Sequence, residues 1–229
     1  MKQKEFISLQ FNQVSWHISR LGENVLLLEA PKDISIDVIH SSAKNIENIL
    51  GQELLDIVPA YDSIAIFSDL EPSKLIQKLQ NSKINKSEIS IKSKILTIPI
   101  CYELGLDLEH IGQHSKLSVD EIIEIHLART YKSLFIGFTP GFIYADGLDQ
   151  RLSCPRKDNP RTHIAAGSVG IGGKQTGIYS LESPGGWNII GRTPMNLFKI
   201  DLDPPMKVEV GTTFKFERIS KKEFESWEN

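Results

Sequence analysis

Cysteine is scarce in this chain of 229 residues, in which only Cys101 and Cys154 occur. Two cysteines exclude a disulfide framework and a zinc-finger spacing, and reduced thiols are typical of a cytoplasm. No apolar run reaches the roughly 18 residues that a membrane span needs. The N-terminal MKQKEFISLQF has no signal-peptide core. We therefore expect a cytoplasmic protein without a membrane partner.

An excess of positive charge is also missing. The formal net charge is -3 and the pI is about 6.1. Because nucleic-acid binding needs a basic face, we expect no nucleic-acid partner. The histidines, cysteines and acidic residues show no metal-ligand spacing, so no metal site is predicted.

Glycine is nearly absent from the first part of the chain and dense in the second. Eleven of the sixteen glycines lie between positions 137 and 191. The early part is instead rich in lysine, isoleucine and serine. This change in composition predicts two domains, at 1–92 and 93–229.

Apolar periodicity predicts the elements of the first domain. The expected order is β-β-α-β-β-α-β, a small antiparallel sheet with helices on one face. Its segments are strands 14–19, 25–29, 55–61 and 63–67, helices 33–50 and from Pro72 to 80, and a closing strand 86–91.

The second domain opens with a predicted helix hairpin at 107–129, where Ser118 and Glu121 match a capping box. Short strands with glycine punctuation follow and are typical of a barrel or sandwich. Among them we predict a strand at 196–201. The whole chain is therefore expected to be α+β.

Four Gly/Pro-rich segments of the second domain could carry chemistry. They are GFTPGFIY (137–144), CPRKDNPRTH (154–163), GSVGIGGKQTG (167–177) and SPGGWNIIGRTP (183–194). Only seven arginines occur in the chain, yet four lie among these segments: Arg151, Arg156, Arg161 and Arg192. A guanidinium is a planar fork that matches carboxylates and phosphates. We predict an anion site here; the alternative is a solvated barrel rim.

Two further features have a structural and a functional interpretation. SVGIGGKQT (168–176) nearly matches a phosphate loop, but Ser168 stands where glycine is required and Gln175 where serine or threonine is required. Lys174 could still reach a phosphate. His126 lies on an apolar helix face, where a core histidine is commoner than a proton carrier.

Taken together, these segments resemble one family. It comprises the B-type subunit of bacterial 5-oxoprolinase, allophanate hydrolase subunit 1 and the inhibitor of the sporulation kinase, and is built on carboxyltransferase subdomains C and D. The matching stretches are IPICY (98–102), LSVDEIIEIH (117–126), GFTPGFIY, PRKDNPRT (155–162), AGSVGIGGKQTGIY (166–179) and SPGGWNIIGRTP. The likeness spans nearly the whole chain.

The resemblance implies a small α/β, ferredoxin-like domain followed by a cyclophilin-like β-barrel. It implies ATP-dependent opening of 5-oxo-L-proline to L-glutamate, with ATP and Mg²⁺, although no recognisable motif here binds the metal. The implied partners are a second barrel subunit of the same family and a third oxoprolinase subunit, so that this chain is expected to be inactive alone. Binding to a sensor histidine kinase and action on allophanate are the alternatives.

Site residues follow from the motif positions. The resemblance implies catalytic roles for Arg161, Arg192 and His126. Gly185 and Gly186 are expected to let the backbone approach a ligand, with Trp187 as an apolar wall. The further residues expected to bind substrate or ATP are Pro140, Gly141, Arg156, Gly167, Ser168, Lys174, Gln175, Thr176 and Pro184.

Overall fold

A computed structural model describes residues 7–82, 95–201 and 206–228. The chain divides into two compact units, Met1–Lys92 and Ser93–Asn229. Each unit has its own buried apolar core. No helix among the described residues is long and apolar enough to cross a membrane.

The small unit is one antiparallel sheet with two helices. The strand order across the sheet is β1-β2-β3-β5-β4. The elements are β1 (Ile7–Phe11), β2 (Val14–Arg20), β3 (Val25–Glu29), α1 (Ile36–Leu50), β4 (Leu54–Pro59), β5 (Ser63–Ser68) and α2 (Pro72–Asn81).

Local signals fix the two helices. The Ser35 hydroxyl accepts a hydrogen bond from the Asp37 N–H at the start of α1, and Gly51 ends that helix with φ of 53°. Pro72 begins α2, where its missing N–H costs nothing. The sequence prediction missed β1, and the predicted strand 86–91 lies outside the described residues. Three strands precede the first helix, so the β-α-β-β-α-β order of a ferredoxin-like domain is not confirmed.

The large unit contains a seven-stranded sheet of order β13-β10-β11-β8-β7-β14-β6 and a separate pair β12-β9. Its strands are β6 (Leu96–Ile100), β7 (Thr130–Ile136), β8 (Ile143–Asp146), β9 (Arg161–Ile164), β10 (Ser168–Gly172), β11 (Gln175–Ile178), β12 (Ser183–Gly185), β13 (Asn188–Arg192) and β14 (Thr213–Arg218). Its helices are α3 (Leu108–Ser115), α4 (Val119–Leu127) and α5 (Lys221–Glu225).

The seven-stranded sheet curls into a nearly closed barrel. Cys101, directly after β6, exchanges two backbone hydrogen bonds with Arg192 of β13, at 2.9 and 3.0 Å. The first and last strands of the sheet therefore meet at one end. The predicted strand 196–201 is wrong: Phe198 forms only an isolated bridge with Met206, and Leu197 is buried in the barrel core.

Alternation along the strands separates two apolar layers. In β8, Ile143 and Ala145 belong to the barrel core, whereas Tyr144 contacts a second cluster on the opposite face. Successive side chains of a strand point to opposite faces of the sheet. The second cluster is the one that bears on function.

Candidate functional site

Trp187 is the centre of the second cluster and is 4% exposed. A Cβ atom at Gly172 would lie 2.6 Å from its indole ring, and one at Gly177 would lie 2.9 Å from it. Real Cβ atoms do not approach so closely, because packed atoms repel strongly inside van der Waals contact. Because they lack a Cβ atom, these glycines of β10 and β11 leave room for the indole ring.

Gly185 and Gly186 also serve the protein's own packing. A Cβ at Gly185 would lie 2.3 Å from the Tyr179 hydroxyl. The Gly186 carbonyl accepts a hydrogen bond from the Lys157 N–H at 2.7 Å. In this structure the two glycines bring the backbone close to Tyr179 and Lys157, and their contact with a ligand stays a prediction. Pro184, which lies between Ser183 and Gly185 in the sequence, is exposed.

Arg156 lies over the face of Trp187, with its guanidinium carbon 5.3 Å from the ring centroid. This geometry is a cation–π contact. The residue is exposed, and within the described part of the chain its guanidinium has no ion pair or hydrogen bond. Its five N–H donors are therefore available to a ligand.

Arg161 is held by a carboxylate that sequence reasoning missed. Asp107, 3% exposed, accepts two hydrogen bonds of 2.8 Å from the Arg161 guanidinium and one of 2.7 Å from Lys157 Nζ. It also accepts the backbone N–H of Ile189 at 2.7 Å. Burial alone would raise the pKa of Asp107, but these donors outweigh it and the pKa lies below its ordinary value.

Two tyrosines stand beside the arginines. Burial raises the pKa of Tyr179 to about 12, while a hydrogen bond from the Trp187 backbone and the charges of Arg156 and Arg161 act in the opposite direction. Burial also raises the pKa of Tyr144, and the charge of Arg156 partly offsets it. Both hydroxyls are therefore neutral near pH 7 and able to donate a hydrogen bond.

Arg192 belongs to a different group. Its Nε donates to the Ala166 carbonyl at 2.7 Å, and its guanidinium carbon lies 5.5 Å from the centroid of Phe224. Ser168 is buried and is the register partner of Arg192 in the sheet. Gly167 has φ of 82°, and a Cβ there would lie 2.3 Å from the Thr193 carbonyl oxygen. These contacts stabilise the end of β13.

The remaining predicted residues are dispersed. Lys174 is exposed at the two-residue turn between β10 and β11, next to Gln175. Thr176 is fully buried and donates to the Gly170 carbonyl at 3.1 Å. In the turn after β7, the Pro140 carbonyl accepts from Ser180, and a Cβ at Gly141 would meet Phe198.

His126 is a core residue, which corrects its assignment as catalytic. Its ring is fully buried, stacks on Phe216 at 4.8 Å and shares a 2.7 Å hydrogen bond with the Tyr102 hydroxyl. Burial lowers its pKa to about 3. It therefore stays neutral near pH 7 and has no access to a substrate in this structure.

The described residues fit neither a nucleotide loop nor a metal centre. The GGKQ stretch forms a β-hairpin turn, whereas a phosphate loop joins a strand to a helix. No group of three or more His, Cys, Asp or Glu side chains in the described ranges could hold a metal ion. No described residue is therefore assigned to bind ATP or Mg²⁺.

Residues 16–208 match the sequence model of a family described as the carboxyltransferase domain, subdomains C and D. The chain belongs to this family. Among its relatives, the B-type subunit of 5-oxoprolinase from Bacillus subtilis is 34% identical over 93% of this chain and 97% of the relative. The urea amidolyase of Lachancea kluyveri is 31% identical over 63% of this chain but only 9% of that protein.

A crystal structure agrees with this membership. A conserved uncharacterised protein of Pyrococcus horikoshii is 40% identical, with a TM-score of 0.57 over 90% of this chain and 99% of that chain. The likeness to carboxyltransferase subdomains predicted from the motifs is therefore confirmed.

In this family member, sequence reasoning brought together only part of the site. Arg156, Arg161, Gly185, Gly186 and Trp187 are neighbours in the structure, as the clustering of motifs predicts. Asp107, Lys157, Tyr144 and Tyr179 were missed. Tyr144 stands in the quoted segment GFTPGFIY, so the aromatic residues of that segment were an available signal. Asp107 gave no signal, because it resembled an ordinary residue preceding a helix.

Proposed function

We propose that this chain is the B-type subunit of a 5-oxoprolinase, which opens 5-oxo-L-proline to L-glutamate. The observation that carries the proposal is the likeness to the corresponding Bacillus subtilis 5-oxoprolinase chain across nearly the full length of both proteins. The large unit supports it, because the unpaired Arg156 guanidinium lies beside the neutral Tyr144 hydroxyl, at the edge of an aromatic wall formed by Phe142, Tyr144, Tyr179 and Trp187. Such a surface suits a small acid that carries a polar ring.

The proposal includes the use of ATP by a complex. A lactam is a stable amide, and phosphorylation of its carbonyl oxygen would make the carbon a better electrophile. Since the described residues form neither a phosphate loop nor a cluster of metal ligands, we assign ATP and Mg²⁺ to the other subunits. The partners are a second barrel subunit of this family and a third subunit, and the isolated chain is expected to be inactive.

The proposed division of labour gives this chain the substrate's anionic group. The complex must hold the carboxylate and expose the lactam carbonyl to activation, because a fixed orientation lowers the entropic part of the barrier. The large unit would act as a cyclophilin-like barrel whose outer face binds the substrate. Two unpaired, buried cysteines suit a cytoplasmic location.

A related alternative rests on the likeness to urea amidolyase. In that case the chain would serve an enzyme that acts on urea or an acyclic relative such as allophanate. Urea is neutral and would not need an unpaired guanidinium. 5-Oxoproline and allophanate each carry a carboxylate, so an unpaired guanidinium suits both of them.

The test is glutamate release from 5-oxo-L-proline. The chain is assayed alone, with both partner subunits, and with each component or ATP left out in turn. We expect release only with ATP and all subunits present. If folded, complete mixtures release no glutamate but consume allophanate or urea, the alternative replaces the proposal. If they consume none of these, a binding role, such as contact with a sensor histidine kinase, becomes the hypothesis to examine.

A further inference from the structure

The four arginines of the Gly/Pro-rich segments differ in the groups that their guanidinium groups already bind within the protein. Arg151 makes two hydrogen bonds of 2.9 Å to the Asp149 carboxylate. Arg161 is paired with Asp107, and Arg192 donates to the Ala166 carbonyl. Within the described residues, Arg156 alone of the four has neither an acidic partner nor a carbonyl acceptor. It is the guanidinium left for a ligand.

The backbone that carries Arg156 is fixed on both sides. Cys154 exchanges two backbone hydrogen bonds with Gly173, at 2.8 and 3.2 Å. The Pro155 carbonyl accepts from the buried Asn188 side chain at 2.8 Å, and the Lys157 N–H donates to Gly186 at 2.7 Å. A loop that is already rigid loses less conformational entropy when a ligand binds.

The Asp107 carboxylate also holds the loop that carries Arg156. It binds Lys157 and Arg161, the residues one and five positions after Arg156, and it also holds the N–H of Ile189 in β13. The loop is thereby tied to the barrel by a partly buried ion pair. Asp107 does not contact Arg156 itself, so its role is to position the loop.

A second free polar group lies against the same indole. Tyr144 is half-buried, its ring centroid is 5.7 Å from that of Trp187, and it stacks on Phe135 at 4.1 Å. Its hydroxyl makes no hydrogen bond to any residue that the structure describes. A ligand bound here would meet the Arg156 guanidinium, the Tyr144 hydroxyl and the part of the Tyr144 ring that remains exposed.

We propose that Arg156 and Tyr144 form a carboxylate-binding subsite for a small, flat acid whose ring lies against the half-buried ring of Tyr144, since Arg156 covers the buried indole of Trp187. The Arg156 fork would hold both carboxylate oxygens, and the Tyr144 hydroxyl would donate to one of them. The inference rests on the proposed function in taking the acid to be 5-oxo-L-proline. The subsite itself depends only on the geometry around Trp187.

Kinetics of the complete complex test the subsite first. Arg156→Gln should raise KM for 5-oxo-L-proline by about tenfold or more, since a charge-assisted bidentate contact is lost. KM for the matching carboxamide, which lacks the carboxylate, should not change. Arg156→Lys should restore part of the affinity through its charge, and Tyr144→Phe should raise KM by a smaller factor. Arg151→Gln, which removes the same charge from a paired arginine, is the control and should behave as wild type.

Tryptophan NMR tests the same subsite without turnover. The chain has three tryptophans, Trp16, Trp187 and Trp227, and ¹⁵N-tryptophan labelling of the full chain gives each an indole signal. Adding 5-oxo-L-proline should move the Trp187 signal, leave Trp16 unmoved, and have no effect in Arg156→Gln. Inorganic phosphate at equal concentration distinguishes a phosphate site from a carboxylate site.

The outcomes separate the two proposals. A complex that releases no glutamate, combined with a Trp187 signal that 5-oxo-L-proline moves through Arg156, overturns the proposed function and keeps the subsite. An active complex in which Arg156→Gln leaves KM unchanged, or raises it equally for acid and carboxamide, overturns the subsite. A Trp187 signal moved by phosphate and not by the acid overturns it as well, as does an inactive complex with an unmoved signal.

Discussion

At the scale of single residues, Gly177 shows how the aromatic wall depends on missing side chains. A Cβ there would lie 2.9 Å from Trp187 and 3.0 Å from Phe142. We expect Gly177→Ala to lower the free energy of unfolding by about 1–3 kcal/mol, the usual cost of overpacking a filled core. Urea unfolding followed by tryptophan fluorescence measures this cost.

Gly137 provides the matched control. A Cβ at Gly137 would make only ordinary contacts of 3.7 Å with Phe135. Gly137→Ala should therefore change the free energy of unfolding by less than about 0.5 kcal/mol. Equal losses in the two variants would mean that the indole is not seated on the glycines of β10 and β11.

His126 predicts a pH dependence of stability. Its pKa of about 3 in the folded protein lies below the ordinary value of about 6.5. Between these values the unfolded chain binds a proton that the folded chain does not. His126 should therefore reduce stability by about 1.4 kcal/mol for each pH unit as the pH falls below 6.5.

The variant His126→Gln isolates this contribution, because the amide keeps an acceptor for Tyr102. Urea unfolding between pH 7.5 and pH 4.5 should show a shallower loss of stability for the variant than for the wild type. Parallel curves would show that His126 is already protonated in the folded protein or that solvent reaches its ring.

At the scale of elements, the Asp107 ion pair links the start of α3, the loop before β9, and β13. Asp107→Asn would leave Lys157 and Arg161 without their anion. Their side chains keep 24% and 27% exposure, so we expect a loss of about 2–3 kcal/mol, below the 3–5 kcal/mol of a fully buried pair. Urea unfolding at pH 7 provides the measurement.

Asp149→Asn is the comparison variant, since it removes a carboxylate that binds an arginine with 63% exposure. Its cost should stay below about 1 kcal/mol, as exposed ion pairs contribute little. The wild-type advantage over Asp107→Asn should also fade in acid. The pKa of Asp107 is lowered in the folded protein, so its contribution is complete above the ordinary value and is lost as the pH falls through the folded value. A difference between wild type and Asp107→Asn that did not fade would contradict the ion pair.

The elements themselves were more predictable than their contacts. Helix α2 begins at Pro72 and α4 at the Ser118 capping box, as local sequence signals indicated. The pairing of Asp107 with Arg161 spans 54 positions and depends on barrel closure, which no local pattern encodes. The glycines near Trp187 were interpreted as ligand contacts, because a sequence cannot distinguish room for a ligand from room for an indole.

At the scale of the whole molecule, every residue assigned to the subsite, or to the contacts that hold the Arg156 loop, lies between positions 107 and 192. The apolar clusters that support them also consist of residues from 98 to 216. A stretch of this length can bury a core of its own. We therefore expect the fragment 93–229 to fold alone and to unfold cooperatively in urea.

The fragment also shows whether the small unit contributes to the site. If residues 93–229 form the subsite alone, the Trp187 indole signal of the fragment should match that of the full chain and respond equally to 5-oxo-L-proline. The Arg156→Gln fragment is the control and should not respond. A folded fragment with a displaced or unresponsive Trp187 signal would contradict the assignment of the complete subsite to residues 93–229.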